Sequence, residues 1–292
     1  MTLEQLRIFL AVAEREHVTR AAETLNLTQS AVSGAISALE IRHGVKLFHR
    51  VGRGIELTES GRVLADQAKL ILANVRAAET AMADLSEVRR GTLTVFASQT
   101  IASYWLPRHL VAFNKRYPQI DLKLQIGNTA QCAQAIIAGI ADLGFIEGSI
   151  EEPSLSIEVI ASDRLVIVVG TQHSWATTQP VLPRDFGETE WALREVGSGT
   201  RSSFEGALRE MQFDPGKLRI SIELPSNEAV CTAVEAGHFA TAVSETVAQS
   251  GISAGRLIMV PFELPDRAFS LIRHKERHHT RASEALRDTI GK

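Results

Sequence analysis

The chain has 292 residues, of which 45% are hydrophobic and 22% charged, and its formal net charge is −3. This length predicts two or three structural units, and the balanced composition excludes a disordered or fibrous protein. No apolar run approaches the ~20 residues of a membrane span, and no secretion signal is recognisable. The two cysteines, Cys132 and Cys231, are far apart in sequence. We therefore expect a cytoplasmic protein with two buried structural thiols, and a redox role for either cysteine stays open.

The N-terminal segment is predicted to form three helices. Residues 3–16 carry one apolar stripe, as expected of a helix packed on a core. The paired Ala21 and Ala22 let a second helix pack closely against a third. A tight turn between them is predicted at Asn26, which tolerates a left-handed backbone.

The third helix is predicted to begin after Thr28, a suitable N-cap, and to end near residues 43–44. Val32, Ile36 and Leu39 recur at helical spacing and mark its buried face. Short or amide side chains occupy the opposite face, which could therefore approach another surface closely. This pattern is a helix-turn-helix whose second helix is shaped to enter a DNA major groove. An amphipathic helical hairpin without a nucleic-acid role is the alternative.

A small hairpin is predicted after the third helix. Its strand-like runs, residues 45–48 and 55–57, flank a tip that contains two glycines with Arg50 and Arg53. Such a tip is typical of a wing that lies along phosphates or in a minor groove, and an ordinary exposed hairpin is the alternative. The predicted DNA-binding residues are Thr28, Gln29, Ser30, Ser33, Gly34, Ser37, Arg50 and Arg53.

A long helix is predicted from Thr58, its N-cap, to about residue 90. Its apolar residues are spaced 4, 3, 4, 3, 4, 3 and are Leu64, Ala68, Ile71, Val75, Ala78, Met82 and Leu85. So narrow a stripe is best buried against a second copy of itself, which predicts a dimer. Packing of the stripe on the C-terminal part of the same chain is the alternative.

From residue 92 the pattern changes to alternating strands and helices, which predicts α/β lobes with a mostly parallel sheet. The predicted strands are 92–97, 120–126, 143–146, 165–169, 191–195, 218–224, 239–243 and 269–272, and the predicted helices are 107–116, 129–138, 202–211, 228–236 and 281–289.

Ligands of open α/β sheets lie at the carboxyl ends of the strands, where helix N-termini gather. The residues at these ends are mostly small, with hydroxyl or amide groups, and Arg201 adds a bidentate donor, so we expect an anionic ligand. Glu147 argues against an anion unless it points out or pairs with an arginine. Plain helix capping is the alternative for each position. The predicted ligand-binding residues are Ser98, Gln99, Thr100, Asn128, Thr129, Gly148, Thr200, Arg201 and Ser226.

The N-terminal sixty residues resemble LysR-type transcriptional regulators. The matching motifs are Thr19-Arg20-Ala21-Ala22, Leu25, Thr28-Gln29-Ser30-Ala31-Val32-Ser33, Leu39-Glu40, Gly44-Val45-x-Leu47-Phe48-x-Arg50 and Leu57-Thr58-Glu59-x-Gly61. His17 and the pair Gly34-Ala35 depart from the usual pattern. The segment Arg194-Glu195-x-Gly197-Ser198-Gly199-Thr200-Arg201 is similar to regulators of carbon fixation and sulfur assimilation.

The resemblance implies a winged helix-turn-helix domain over 1–58, a linker and dimerisation helix over 59–90, and a periplasmic-binding-protein-like effector domain over 91–292. Lobe I of that domain would be 91–162 with 267–292, and lobe II would be 163–266. The implied partners are promoter DNA, a small effector, further copies of the chain up to a tetramer, and RNA polymerase.

No catalytic, metal or cofactor constellation stands out in the sequence. His274, His278 and His279 have metal-like spacing but sit in a Lys/Arg-rich stretch where no acidic or thiol residue completes a ligand set, which favours a solvated turn. The competing hypothesis is a cytoplasmic small-molecule-binding protein or enzyme whose helical domain does not contact DNA. A general base in the cleft would favour the enzyme, and none is evident.

Overall fold

The computed structural model describes residues 1–52, 54–85, 91–176 and 180–291. The chain divides into two compact units, Met1–Ala83 with Ala138–Ile140, and Asp84–Ile137 with Ala141–Lys292. Along the described ranges, no helix is both long and apolar enough to cross a membrane.

The first unit is helical with one small hairpin. Its elements are α1 (Leu3–Arg15), α2 (Val18–Leu25), α3 (Gln29–His43), β1 (Phe48–Val51), β2 (Gly54–Leu57) and α4 (Glu59–Leu85). Asn26 adopts the left-handed conformation with φ 53°, and the Thr28 side chain accepts a hydrogen bond from the Ala31 amide, so the predicted turn and N-cap are confirmed. Phe9, Val32 and Leu39 are fully buried in the core that the three helices share.

The first strand of the hairpin begins at Phe48, so the predicted run 45–48 is wrong by three residues. Tertiary contacts hold the preceding segment in another conformation. The Leu47 amide donates to Glu40 Oε1 at 2.9 Å, and the Lys46 carbonyl accepts from the Thr58 hydroxyl at 2.6 Å. Leu47 is buried. The β1 strand then continues to Val51, through what we predicted to be the tip.

Helix α4 begins as predicted, because the Thr58 hydroxyl accepts from the Gly61 amide at 3.0 Å. Gly61 lies so close to the Leu47 carbonyl oxygen that a Cβ would overlap it, and glycine is therefore required for α4 to pack against this segment.

The apolar stripe of α4 has two different environments. Leu64, Ala68 and Ile71 pack on the helical core of the same chain, so this half of the predicted seam is already covered. Ala78 and Met82 are exposed, Met82 to 67%. The side chain of Leu85 lies outside the described part of the chain.

The second unit is an α/β structure with two five-stranded sheets. Its strands are β3 (Gly91–Ser98), β4 (Ile120–Gly127), β5 (Leu143–Glu147), β6 (Leu155–Asp163), β7 (Leu165–Gly170), β8 (Glu190–Arg194), β9 (Arg219–Leu224), β10 (Phe239–Ser244), β11 (Leu257–Met259) and β12 (Arg267–His274). Its helices are α5 (Leu106–Arg116), α6 (Thr129–Ile137), α7 (Gly199–Glu210), α8 (Asn227–Ala236), α9 (Glu245–Ser253) and α10 (Arg281–Ile290), and a π-helical turn, Ile101–Trp105, precedes α5.

Each sheet belongs to one lobe. Lobe I contains the sheet of order β4-β3-β5-β12-β6, and lobe II contains the sheet of order β11-β7-β10-β8-β9. The chain passes from lobe I to lobe II between β6 and β7, where only Arg164 intervenes, and returns between β11 and β12. The two crossings bring the last residue of β6, Asp163, beside the first residue of β12, Arg267.

The sheets are mixed, and our prediction of a mostly parallel sheet is wrong. In lobe I, β12 pairs antiparallel with both β5 and β6, and in lobe II, β7 pairs antiparallel with both β10 and β11. These are the strands that enter from the opposite lobe, so they cannot be connected by the right-handed crossovers that make a sheet parallel.

Strands β6 and β11 and helix α9 were not predicted from the sequence. Strand β6 lies at the edge of its sheet and exposes Ile157 and Val159, and α9 contains an interior glycine, Gly251. Helix α7 begins at Gly199, three residues before its predicted start, with Ser198 as N-cap. Thr200 and Arg201 therefore lie in the first helical turn and not in a loop.

Candidate functional sites

Helix α3 exposes one polar face and buries the other. Val32, Ile36 and Leu39 are buried, whereas the six predicted DNA-binding positions of this segment are exposed. These positions are Thr28, Gln29, Ser30, Ser33, Gly34 and Ser37. Thr28 holds the helix end, since its hydroxyl caps the Ala31 amide at 3.2 Å. The exposed face of α3 therefore carries short, hydrogen-bonding side chains.

The hairpin carries the predicted arginines of the wing. Arg50 is exposed and lies within strand β1 opposite Ile55, one register position from the end of the ladder. Gly52, with φ +59°, follows that ladder. Arg53 lies outside the described residues.

A second cluster of polar groups is buried between the two lobes. Ser98 and Thr100 of lobe I and Ser198 and Thr200 of lobe II are at most 1% exposed. The hydroxyls of Ser98 and Ser198 have no hydrogen-bond partner within the described chain. Buried hydroxyls are normally paired, so these two groups retain hydrogen-bonding capacity that the described chain does not use.

Arg267 is the centre of this cluster and was not predicted. Its Nε donates to Asp163 Oδ2 at 2.8 Å, and its NH1 donates to the Thr200 hydroxyl at 2.8 Å. Its NH2 lies 3.3 Å from Glu147 Oε2. The side chain is only 2% exposed. The Glu147 carboxylate thus points inward and pairs with Arg267. Because it is paired, Glu147 does not argue against an anion at this position.

A second buried arginine, Arg194, lies at the end of strand β8. Its guanidinium makes two hydrogen bonds to Glu195, at 2.8 and 3.0 Å, and one to Asn227 Oδ1 at 2.9 Å. Burial raises the pKa of Glu195, but hydrogen bonds from Arg194 and Asn128 outweigh it and leave that pKa below its ordinary value. Glu195 is therefore ionised at neutral pH and holds Arg194 in place.

Several contacts join the lobes directly. The side-chain Nδ2 of Asn227 donates to the Thr100 hydroxyl at 3.0 Å, and the backbone N–H of Asn227 donates to Gln99 Oε1 at 2.8 Å. Asn128 Nδ2 donates to Glu195 at 3.1 Å. The Ala130 amide donates to the Gly197 carbonyl at 3.1 Å. The structure therefore shows the lobes closed on one another.

The remaining predicted ligand residues have different surroundings. The Thr129 hydroxyl donates to the Glu147 carbonyl at 3.0 Å, and Gly148, with φ +78°, turns the chain after β5 toward α7. The Ser226 hydroxyl accepts from the Ala229 amide and so caps α8. For Ser226, the structure therefore shows the helix capping that was the alternative to ligand binding.

Arg201 does not join the interlobe cluster. Its guanidinium is bound by Glu205 and Glu223 and by the Arg194 carbonyl, so its charge is neutralised within lobe II. The idea that Arg201 supplies a bidentate donor to an anion is therefore corrected, and Arg267 and Arg194 are the arginines at the cleft. The i, i+4 spacing of Arg201 and Glu205 was the available signal for this pairing.

Cys132 is buried and Cys231 is partly buried. Burial raises the pKa of Cys132 to about 12 and that of Cys231 to about 11. Both groups therefore remain thiols at neutral pH, and the thiolate is the reactive form. In the described ranges, no group of three or more His, Cys, Asp or Glu residues could hold a metal ion.

The helix-turn-helix and the closed two-lobed domain define the class of ligand-responsive DNA-binding proteins. Two family models match the chain. They are the bacterial regulatory helix-turn-helix protein of the lysR family over residues 3–62 and the LysR substrate binding domain over residues 86–292. The chain belongs to the LysR family of transcriptional regulators, and the resemblance seen in the sequence is confirmed. The relatives are named as regulators and not as enzymes.

Three similar proteins illustrate the relationship. A probable RuBisCO transcriptional regulator of Phaeodactylum tricornutum is 32% identical over 296 residues, which cover 100% of this chain and 96% of the relative. Full-length CbnR complexed with its target DNA shares the fold at TM-score 0.71 and 22% identity, over 99% of both chains. The regulatory domain of Synechocystis PCC6803 CcmR in complex with 2-PG matches at TM-score 0.62 and 22% identity, over 69% of this chain and 96% of that domain.

Proposed function

We propose that this LysR-type regulator binds a small anionic effector between lobes I and II and reads promoter DNA with the exposed face of α3 and with Arg50. The observation that carries the effector site is the pair of buried hydroxyls, Ser98 and Ser198, without a hydrogen-bond partner in the described chain. Both lie at starts of helical segments, where backbone N–H groups and the helix dipole favour an anion. CcmR, a protein of similar fold, is known in complex with 2-PG, which supports a ligand in this domain.

The proposed assembly is a homodimer, extended to a tetramer, in a cytoplasmic setting. Ala78 and Met82 on α4 are exposed and continue the apolar stripe beyond the part that the chain's own core covers. A second copy of α4 would cover them and would place two α3 helices about one DNA turn apart, roughly 34 Å. Effector binding would shift the balance between two packings of the lobes and so change the DNA contacts. RNA polymerase is a further proposed partner.

The DNA assignment predicts different effects for an arginine and a glutamine. Arg50→Ala should weaken binding to all sequences and lower the slope of log affinity against log salt concentration by about one, because one phosphate contact is lost. Gln29→Ala should instead relax base preference at one position by about 1–3 kcal/mol. Gel shifts over a salt series measure both effects. The number of chains bound per DNA fragment at saturation tests the proposed dimer.

The matched control for Arg50 is Arg184→Ala, which removes the same charge from an exposed position in lobe II. This control should bind DNA as the unaltered chain does. An unchanged salt slope in Arg50→Ala, or one chain bound per fragment at saturation, would contradict the assignment.

The effector assignment predicts that Thr200→Val loses the response to the effector. The Thr200 hydroxyl is buried and shared by Glu147 and Arg267, and valine keeps its shape without the hydrogen bonds. A panel of small anions, including sulfate, phosphate and 2-PG, is tested by thermal shift on the full chain. We expect at least one to stabilise the unaltered chain and none to stabilise Thr200→Val, while DNA binding persists in both.

Ser226→Ala serves as the control for a purely structural effect. It should cost about 1 kcal/mol of stability through the lost α8 cap and leave the anion response in place. The effector proposal fails if no anion stabilises the chain, or if Thr200→Val responds as the unaltered chain does.

A further inference from the structure

Glu147 lies in the cleft with an incomplete set of partners. It is the last residue of β5 in lobe I, and its side chain is 2% exposed. Its Oε1 accepts from the Thr200 hydroxyl of lobe II at 3.2 Å. Its Oε2 is 3.3 Å from the Arg267 guanidinium but has no hydrogen bond within the described chain. The carboxylate therefore accepts a hydrogen bond on Oε1 and makes an ion pair without a hydrogen bond on Oε2.

The cleft also contains more negative than positive charge. Among the described residues, the guanidinium groups of Arg194 and Arg267 are matched by three carboxylates, those of Glu147, Asp163 and Glu195. Glu195 binds Arg194 through both oxygens, and Asp163 binds Arg267 at 2.7 and 2.8 Å. Glu147 therefore shares Arg267 with Asp163, and burying one negative charge beyond the positive ones is costly.

The contacts of Glu147 are the ones an anionic ligand would use. Its carboxylate meets an arginine and a hydroxyl of the first turn of α7, and both are typical partners of bound carboxylate, sulfate or phosphate. Gly199, the first residue of α7, brings this helix end against Glu147, since a Cβ at that position would lie 2.6 Å from Glu147 Cγ. Glu147 also joins the two lobes, as a bound ligand would.

We propose that Glu147 is a tethered carboxylate that occupies the anion position on the Thr200–Arg267 pair, and that the effector binds by displacing it. This inference rests on the proposed function of the cleft. Glu147 then sets the effector concentration at which the regulator responds, because an anion must overcome both the internal contact and the repulsion between like charges. It also disfavours small anions that make no contacts beyond this pair.

Removing the charge of Glu147 is expected to strengthen anion binding. Glu147→Gln keeps an oxygen for Thr200 but has no charge to repel an anion. The probe is sodium sulfate, titrated at constant ionic strength against the full chain, with thermal shift and calorimetry as readouts. We expect the dissociation constant for sulfate to fall about tenfold or more relative to the unaltered chain. Glu190→Gln is the matched control, because it removes the same charge at the opposite end of β8 from Arg194, and its sulfate affinity should not change.

The outcomes separate this proposal from the site itself. Equal sulfate affinity in Glu147→Gln and the unaltered chain, with binding lost in Thr200→Val, would overturn the role of Glu147 and keep the site. Sulfate binding to neither protein, although both are folded and bind DNA, would overturn the role of Glu147, whereas the effector site fails only if no anion of the panel stabilises the chain. A crystal structure of the unaltered chain at saturating sulfate is a second test, and it does not depend on whether a variant folds. It should show Glu147 Oε1 moved out of hydrogen-bond range of Thr200, and an anion bound with Glu147 in place would overturn the inference.

Discussion

Arg267→Ala is expected to lower the free energy of unfolding of the effector domain by about 3–5 kcal/mol, because it leaves buried carboxylates without their cation. Asp163 is bound to Arg267 at 2.7 and 2.8 Å, and Glu147 is 3.3 Å away. All three side chains are less than a tenth exposed. The loss also removes the donor that orients the Thr200 hydroxyl, so the anion response should disappear with the stability. Urea unfolding followed by tryptophan fluorescence measures the first effect.

Two comparisons isolate the cause. Arg256→Ala breaks a surface pair with Glu235 and should cost about 1 kcal/mol or less. Adding Asp163→Asn to Arg267→Ala should recover part of the loss, because the neutral amide needs no cation. A loss below about 1 kcal/mol for Arg267→Ala would mean that the cluster does not hold the two crossing strands together.

Gly199→Ala is expected to prevent full closure of the two lobes. A Cβ at this position would overlap the Glu147 carbonyl oxygen and lie 2.5 Å from the Thr129 hydroxyl oxygen. The first obstacle is backbone of lobe I and cannot rotate away, so α7 must retreat. Overpacking of this kind costs about 1–3 kcal/mol. We also expect anion affinity to be lost, because Thr200 is withdrawn from Arg267 and Glu147.

Gly206 supplies the control on the same helix. A Cβ there meets nothing within 4 Å, and Gly206→Ala should stabilise α7 by up to about 1 kcal/mol through helix propensity. Small-angle scattering and the sulfate titration distinguish the two variants. A Gly199→Ala protein with unaltered anion affinity would show that close approach of α7 to Glu147 is not needed for the site.

The N-terminal unit could be predicted in detail because its determinants are local. The N-caps Thr28 and Thr58, the turn residue Asn26 and the helical spacing of Val32, Ile36 and Leu39 each act within a few residues of the chain. Strand β1 was misplaced because Leu47 is held by Glu40 and covered by Gly61, which are contacts between separate elements. The binding residues on α3 and in the wing remain predictions until DNA binding is measured.

The buried polar cluster between the lobes was predicted in part, without its charges, and its role as an effector site stays a prediction. Strand ends and helix starts in the sequence pointed to Thr100, Thr129 and Thr200, and the structure buries all three at the interlobe cluster. Arg201 was predicted as a bidentate donor at one of these strand ends, yet its side chain pairs with Glu205 and Glu223 within lobe II.

By itself the sequence determined the family, the helix-turn-helix, the alternation of strands and helices and the ends at which small polar residues gather, because periodicity, caps and motifs act over short stretches of chain. Only the tertiary structure decided which buried charges meet. Arg267 contacts Asp163 and Thr200, which are 104 and 67 residues away in sequence, because two strands that cross between the lobes run side by side. No local pattern encodes such a pairing, since its energy depends on the burial and proximity that the folded chain creates.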